Sequence, residues 1–414
     1  MSRNKTKLSD TLISILIYSH IISWVLFTPI SQFQMMIFGS RVFTFVHFGI
    51  LEMAIVFLLI CLNHGQIKLN ITSKRSLIVS AVFLVSWVYN FLFNGKVSTY
   101  NLLFYLMTWL FPFIVVFITS QYKFDRTQMT RILHFMIVVC MIHAVLIFIQ
   151  RFTNSLIWPY LDYGDGEQVF YVGENYYTSG SYMARCPGLA ISGLDAGILL
   201  LFGIVVLNFL DLKKTMKVPL YVLFVIAIFF TGTRNVYVIT AYVIAVTLIV
   251  KCIRNSKTRN RLLVLITVFV GVLYFYFVTG MTDFNSTRSI FTDTMSIMYR
   301  LTAWERAIDL IHELPFVSKL FGILSWQQAG GPLIDNFYLE TIYCSGIISL
   351  VVMIFYIVKM ATACARRYKL SAIVSAAFIL SFFIYGVLNS MSNFYLTLML
   401  LIFMYWRIDN TLEQ

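Results

Sequence analysis

The chain has 414 residues, of which 59% are hydrophobic, 17% aromatic and only 12% charged. Soluble domains average about 45–50% apolar and about 25% charged residues, so one or two soluble cores cannot absorb this much apolar surface. The formal charge of +13 does not point to nucleic acid, because the basic residues are scattered between apolar runs. The composition is that of an all-α, polytopic integral membrane protein.

Arg3, Lys5 and Lys7 precede the first apolar run, which is too long for a signal peptide and lacks a small-residue cleavage site. It reads as a first span. Stretches able to cross a hydrocarbon core, about 20 residues each, begin near residues 9, 42, 76, 100, 129, 189, 217, 235, 261, 336, 370 and 389. That predicts about 12 transmembrane helices in a single polytopic domain over 1–414. With the N-terminus inside, the inner segments hold 22 of the 31 lysines and arginines. This asymmetry places both termini in the cytoplasm. Two outer segments, 151–188 and 281–335, are far longer than the other connections, and long loops in compact architecture tend to carry function. In the second, Ile297, Leu301, Trp304, Ile308 and Ile311 recur at helical spacing until Pro315, which predicts a short amphipathic helix on the outer surface.

The candidate chemistry lies in the outer segments. Arg185 precedes the sixth span, Arg234 sits at the tip of a tight hairpin, and Arg288, Arg300 and Arg306 lie on or before the amphipathic segment. The run before Arg234, Val218–Phe230, has 13 residues, roughly 20 Å at 1.5 Å per residue. That falls short of the hydrocarbon thickness, so the tip is expected to be recessed in a cavity. An arginine at such depth either binds an anion or snorkels to headgroups or a nearby acid. Several arginines converging there would suit pyrophosphate, which guanidinium forks bind bidentately.

Asp195 lies inside the sixth span, and Asp335 and Asn336 sit where the second long loop enters the tenth; Glu340 shares a helix face with Asn336. A carboxylate at such a mouth could deprotonate a sugar hydroxyl. Solvation of a loop end or a structural hydrogen bond is the plainer reading. Glu52, ten residues into the second span, is either a neutral hydrogen-bonded carboxyl or part of an ion pathway, with His47 and His20 its neighbours by depth. The first long loop carries Tyr160, Tyr163, Tyr171, Tyr176, Tyr177 and Tyr182 among four acids. Sugar recognition and an interfacial aromatic belt both fit that composition. Neither the six cysteines nor the histidines have ligand spacing, so no metal and no cofactor is expected.

Four segments resemble the superfamily of O-antigen ligases and Wzy-type polysaccharide polymerases. They are Arg185-Cys-Pro-Gly188 with Ser192, Gly193 and Ala196; Thr231-Gly-Thr-Arg234; Arg300-Leu-Thr-Ala-Trp304 with Pro315 and Gly322; and Asp335-Asn-Phe-Tyr-Leu339 with Gly346. The resemblance covers most of residues 180–350 and implies a GT-C-like membrane glycosyltransferase in a bacterial cytoplasmic membrane. It would act by metal-independent, inverting transfer between polyprenyl-pyrophosphate-linked oligosaccharides. By position, Arg185, Arg234 and Arg300 would hold pyrophosphate, with Arg288, Arg306, Trp304, Asn336 and Tyr338 lining the substrate. The base stays open between Asp335, Asp195 and Glu340. The ligases place His before the Asn of the last motif. Asp335 stands there here, which favours a polymerase of capsule, exopolysaccharide or O-antigen repeat units over a ligase. A lipid-linked-sugar flippase is the alternative from another class. The resemblance also implies a chain-length regulator and a flippase as partners, besides membrane lipid.

Overall fold

The computed structural model describes residues 2–40, 42–62, 70–93, 99–121, 126–153, 186–190, 192–280, 294–324, 336–366, 369–389 and 393–410. Arg185, Arg288, Asp335 and the tyrosines of the first long loop lie outside the described residues. The described residues are helical and contain no strand. A chain this apolar gains most from helices, which satisfy every backbone N–H and C=O within one segment and need no water.

In chain order the helices are α1 (Ser2–Trp24), α2 (Phe27–Phe38), α3 (Phe45–Leu62), α4 (Ile71–Phe93), α5 (Thr99–Tyr105), α6 (Phe111–Thr119), α7 (Arg126–Thr153), α8 (Gly193–Leu207) and α9 (Lys214–Phe230). They continue with α10 (Arg234–Lys251), α11 (Ser256–Gly280), α12 (Thr294–Glu313), α13 (Phe316–Phe321), α14 (Phe337–Ala365), α15 (Leu370–Tyr385) and α16 (Asn393–Asn410). A π-turn over Leu106–Leu110 joins α5 to α6. Among the described residues, six helical segments are long and apolar enough to cross a membrane, and α1 with α2 would make a seventh as one span bent by 72°. The sequence expectation of about 12 is larger because it also counts helices such as α3, α8 and α15, whose apolar lengths fall below a full crossing. Large apolar side chains on the outside of the bundle, such as Phe269, Val272 and Tyr276 of α11, are mostly exposed. That is the surface of a protein whose solvent is hydrocarbon.

The amphipathic helix expected in the second long segment is α12, somewhat longer than its apolar pattern, and Pro315 ends it by capping α13. The seat of α13 is not legible in the sequence. Helix α14 breaks at Gly346, whose φ of 85° is open to glycine and strained for other residues. The carbonyls of Tyr343 and Cys344, freed by the break, accept from Ile323 N at 2.9 Å and Leu324 N at 3.1 Å. The second long segment is thus stitched into the side of α14. From α4, Asn90 Nδ2 donates to Gly322 O at 3.2 Å, Ser86 Oγ donates to Phe321 O, and Tyr89 Oη bonds Ser318 Oγ at 3.1 Å. Both glycines are needed: a Cβ at Gly322 would overlap the backbone at Cys344, and one at Gly346 would overlap Leu320 O.

Candidate functional site

Three helix N-termini meet at one corner of the bundle. Helices α8 and α10 run side by side, and Gly197 permits the approach, since a Cβ there would lie 2.5 Å from Val236 Cγ1. Asp195 and Arg234 each lie two residues before that contact, so the starts of α8 and α10 are level. Helix α14 joins them through the end of α15: Asn336 Nδ2 donates to Val387 O at 3.1 Å, and Phe337 N donates to Gly386 O at 2.9 Å. From α10, Asn235 Nδ2 reaches Tyr385 O at 3.4 Å. Aligned N-termini concentrate positive potential where a backbone N–H is still free to bind an anion.

Arg234 opens α10 directly after the Thr231–Thr233 turn, in which Gly232 takes a φ of 63°. Thr231 and Thr233 are buried and Arg234 is half-buried. Arg300 lies on the face of α12 that turns inward, four residues before Trp304. The Trp304 ring is buried and stacks on Phe275 of α11 at 6.0 Å with planes 4° apart, which fixes α12 on α11. The guanidinium charges of Arg234 and Arg300 both act on the hydroxyl of Tyr274, the residue next to Phe275. Two arginines far apart in sequence therefore lie within electrostatic range of one side chain. Arg306, in contrast, is exposed on the opposite face of α12 beside Glu305 and Asp309.

The turn after Arg185 is anchored to the same corner. Cys186 N donates to Phe230 O at 3.3 Å, only four residues before Arg234. Gln150 Oε1 accepts from Gly188 N at 2.8 Å, and His143 Nδ1 accepts from Leu189 N at 2.8 Å while its Nε2 bonds Ala196 O at 3.2 Å. With both ring nitrogens engaged, His143 is a fixed bracket between the turn and α8. Arg151 stands over the Phe230 ring at 5.9 Å. Its charge also reaches Cys186, but burial dominates and pushes that thiol up to about 11.

The remaining candidates divide by what holds them. Asp195 N donates to Ser192 Oγ at 3.2 Å and Ser192 Oγ donates to Asp195 Oδ2 at 3.1 Å, so the carboxylate belongs to the cap of α8. Asn336 caps α14, its Oδ1 accepting from Tyr338 N at 3.0 Å and Leu339 N at 3.1 Å. Tyr338 Oη donates to Phe383 O at 2.7 Å. Glu340 is half-buried one turn into α14, close enough to Cys344 for its charge to be felt there. Below Tyr338 and Phe275 an apolar groove of about 340 Å³ runs between α11, α14 and α15, lined by Val264, Val268, Val272, Val358 and Leu380. From Val264 to Phe275 it follows α11 for roughly 16 Å at 1.5 Å per residue.

Sequence reasoning named Arg234, Arg300 and Trp304 and missed Arg151, Tyr274, His143, Gln150 and Asn235. Arg151 carried a readable signal, an arginine at the last turn before a long loop. The others are polar residues inside apolar helices, whose partners only the packing reveals. Among the described residues, no cluster of His, Cys, Asp or Glu could hold a metal ion. No protein-family model and no curated protein matches the chain.

Proposed function

We propose that the protein is a polysaccharide polymerase that joins polyprenyl-pyrophosphate-linked repeat units on the outer face of a bacterial cytoplasmic membrane. The observation that carries this reading is that Arg234 and Arg300 both lie within electrostatic range of Tyr274, near three helix N-termini and an apolar groove. A pyrophosphate needs cationic forks and N–H dipoles, and its polyprenyl chain needs an apolar channel that starts at the same point. In the proposed topology about twelve segments cross or enter the membrane, both termini are cytoplasmic, and this corner opens outward. Arg185, one residue before the anchored Cys186, is the third fork.

The chemistry is a single inverting displacement. A hydroxyl of the incoming unit attacks the anomeric carbon of the growing chain from the face opposite its pyrophosphate. The C–O bond to pyrophosphate breaks as the new glycosidic bond forms. The hydroxyl proton passes to a carboxylate, Asp335 or Glu340 at the head of α14, or Asp195 at the head of α8. The arginines stabilise the charge that develops on the departing pyrophosphate, an interaction stronger in the transition state than before it. Trp304 holds α12, and with it Arg300, in place.

The test is the lipid-linked glycan pool of cells carrying Arg234→Ala or Arg300→Ala at normal membrane levels. Both variants are expected to leave single repeat units on lipid and abolish long polymer. A full polymer ladder from both would overturn the proposal.

A further inference from the structure

The apolar groove takes two rows of side chains from α11: Val264, Val268 and Val272 in one, and Thr267, Gly271 and Phe275 in the other. Residues four apart form one ridge of a helix, so the groove follows two ridges. Its other walls are Ile354 and Val358 of α14 with Leu380 and Phe383 of α15. Val268 and Val272 are 57% and 60% exposed, so the groove lies open along its side to the surrounding hydrocarbon.

The polar side chains of the lining are already engaged. Tyr338 Oη donates to Phe383 O, while Thr267 Oγ donates to Leu263 O at 2.6 Å and is bonded by Tyr242 Oη. A polar occupant would lose its hydration there without replacement, so the lining suits hydrocarbon alone. At the Phe275 end the surroundings change. Phe275 follows Tyr274, which lies within electrostatic range of Arg234 and Arg300, and Tyr338 is two residues past the Asn336 cap. The occupant that fits both ends is a lipid with an anionic head.

Gly271 stands midway along the second ridge, and neither packing nor backbone accounts for it. Other glycines inside helices admit a neighbour: Gly197 admits Val236, Gly203 admits Phe224 and Gly49 admits Met107. A Cβ at Gly271 would meet nothing within 4 Å. Its φ is not positive, so the conformation is open to any residue. Glycine is also a poorer helix former than alanine. What it gives α11 is a gap in the groove wall.

We propose that Gly271 is the gauge of this groove, its missing side chain making room for the branched polyprenyl chain of the donor lipid. The choice of a prenyl chain rests on reading the arginine corner as a pyrophosphate site. Such a chain carries methyl branches at regular intervals and is wider at each than a straight acyl chain. The gap between Thr267 and Phe275 seats one branch. A straight chain gains nothing from it. The lipid enters sideways from the bilayer, past Val268 and Val272, without leaving hydrocarbon.

The experiment uses full-length protein in phosphatidylcholine nanodiscs and a polyprenyl phosphate bearing a photoreactive diazirine in its chain. Illumination is expected to label peptides of α11, α14 and α15 that line the groove. Unlabelled undecaprenyl phosphate should compete, and octadecyl phosphate, with the same head on a straight chain, should not. Gly271→Ala fills the gap by one methyl and should weaken labelling about threefold, and Gly271→Leu about tenfold or more. Both variants should melt at or above the wild-type temperature, because alanine and leucine favour the helix. Labelling unchanged in Gly271→Leu overturns the proposal, as does equal competition by octadecyl phosphate. A lower midpoint in Gly271→Ala, or a changed oligomeric state, also overturns it, since the glycine would then pack against protein. The assay involves no glycan and no turnover, so prenyl-selective, Gly271-dependent labelling supports the gauge even where cells form polymer without this protein.

Discussion

Arg234 and Arg300 lie within electrostatic range of Tyr274 on different elements, one at the first position of α10 and the other on the inward face of α12. Guanidinium rather than mere charge is needed there, because a planar fork matches two phosphate oxygens at once. Arg234→Lys and Arg300→Lys should therefore keep the charge and lose the fork. Each is expected to lower the polymerisation rate about tenfold or more, since a hydrogen bond to a charged group is worth about 1.5–3 kcal/mol. Rates indistinguishable from wild type in both lysine variants would mean that only a diffuse positive potential is required. Cys186 gives a second prediction at this scale. Only the thiolate reacts with maleimide, and burial holds this thiol near 11 despite Arg151. Below that value the group is neutral, so labelling should be very slow at pH 7–8 and quicken as pH rises toward 11, while exposed Cys252 reacts first. Arg151→Gln removes an opposing charge and should slow Cys186 further. Rapid labelling of Cys186 at pH 7 would show that the turn after Arg185 is open rather than anchored.

Among the elements, the break in α14 and its cap matter most for where the site stands. Gly346→Ala would place a methyl group on Leu320 O at a φ that disfavours any side chain, so α13 would be expelled from its seat. Backbone strain of this kind costs about 1–3 kcal/mol before the overlap is counted. A lower thermal midpoint in detergent and loss of the link from Ile323 to Tyr343 are expected. A midpoint equal to wild type would refute the strain at the break. Asn336→Ala should cost about 0.5–2 kcal/mol as a lost cap, with more for the buried Val387 carbonyl left unpaired. Asn336→Asp retains the cap acceptor and should lose less. Helices such as α12 were legible because their apolar residues repeat at helical spacing. The glycine break was not, since Gly346 in an apolar run looks the same whether it packs against a neighbour or breaks the helix.

For the whole molecule, composition alone identified an all-helical chain with apolar helices able to span a membrane, because 59% hydrophobic content admits few other solutions. The number of spans was less legible, since hydropathy counts α8 and α15 although each is shorter than a crossing. Packing turns those short helices to use: α8 and α10 begin level with each other, and the end of α15 braces α10 and α14, so the polar corner sits where the apolar lengths run out. Sequence depth offered His20 and His47 to Glu52, and the packing of α1 on α3 pairs it with His20 while His47 turns to Thr44. The central claim concerns what the arginine corner does, and the lipid-linked glycan profile of cells lacking this protein tests it most directly. Polymerase function predicts single repeat units accumulating on polyprenyl pyrophosphate with long polymer absent. Long polymer still forming, whether attached to its acceptor or stranded on lipid, would contradict it.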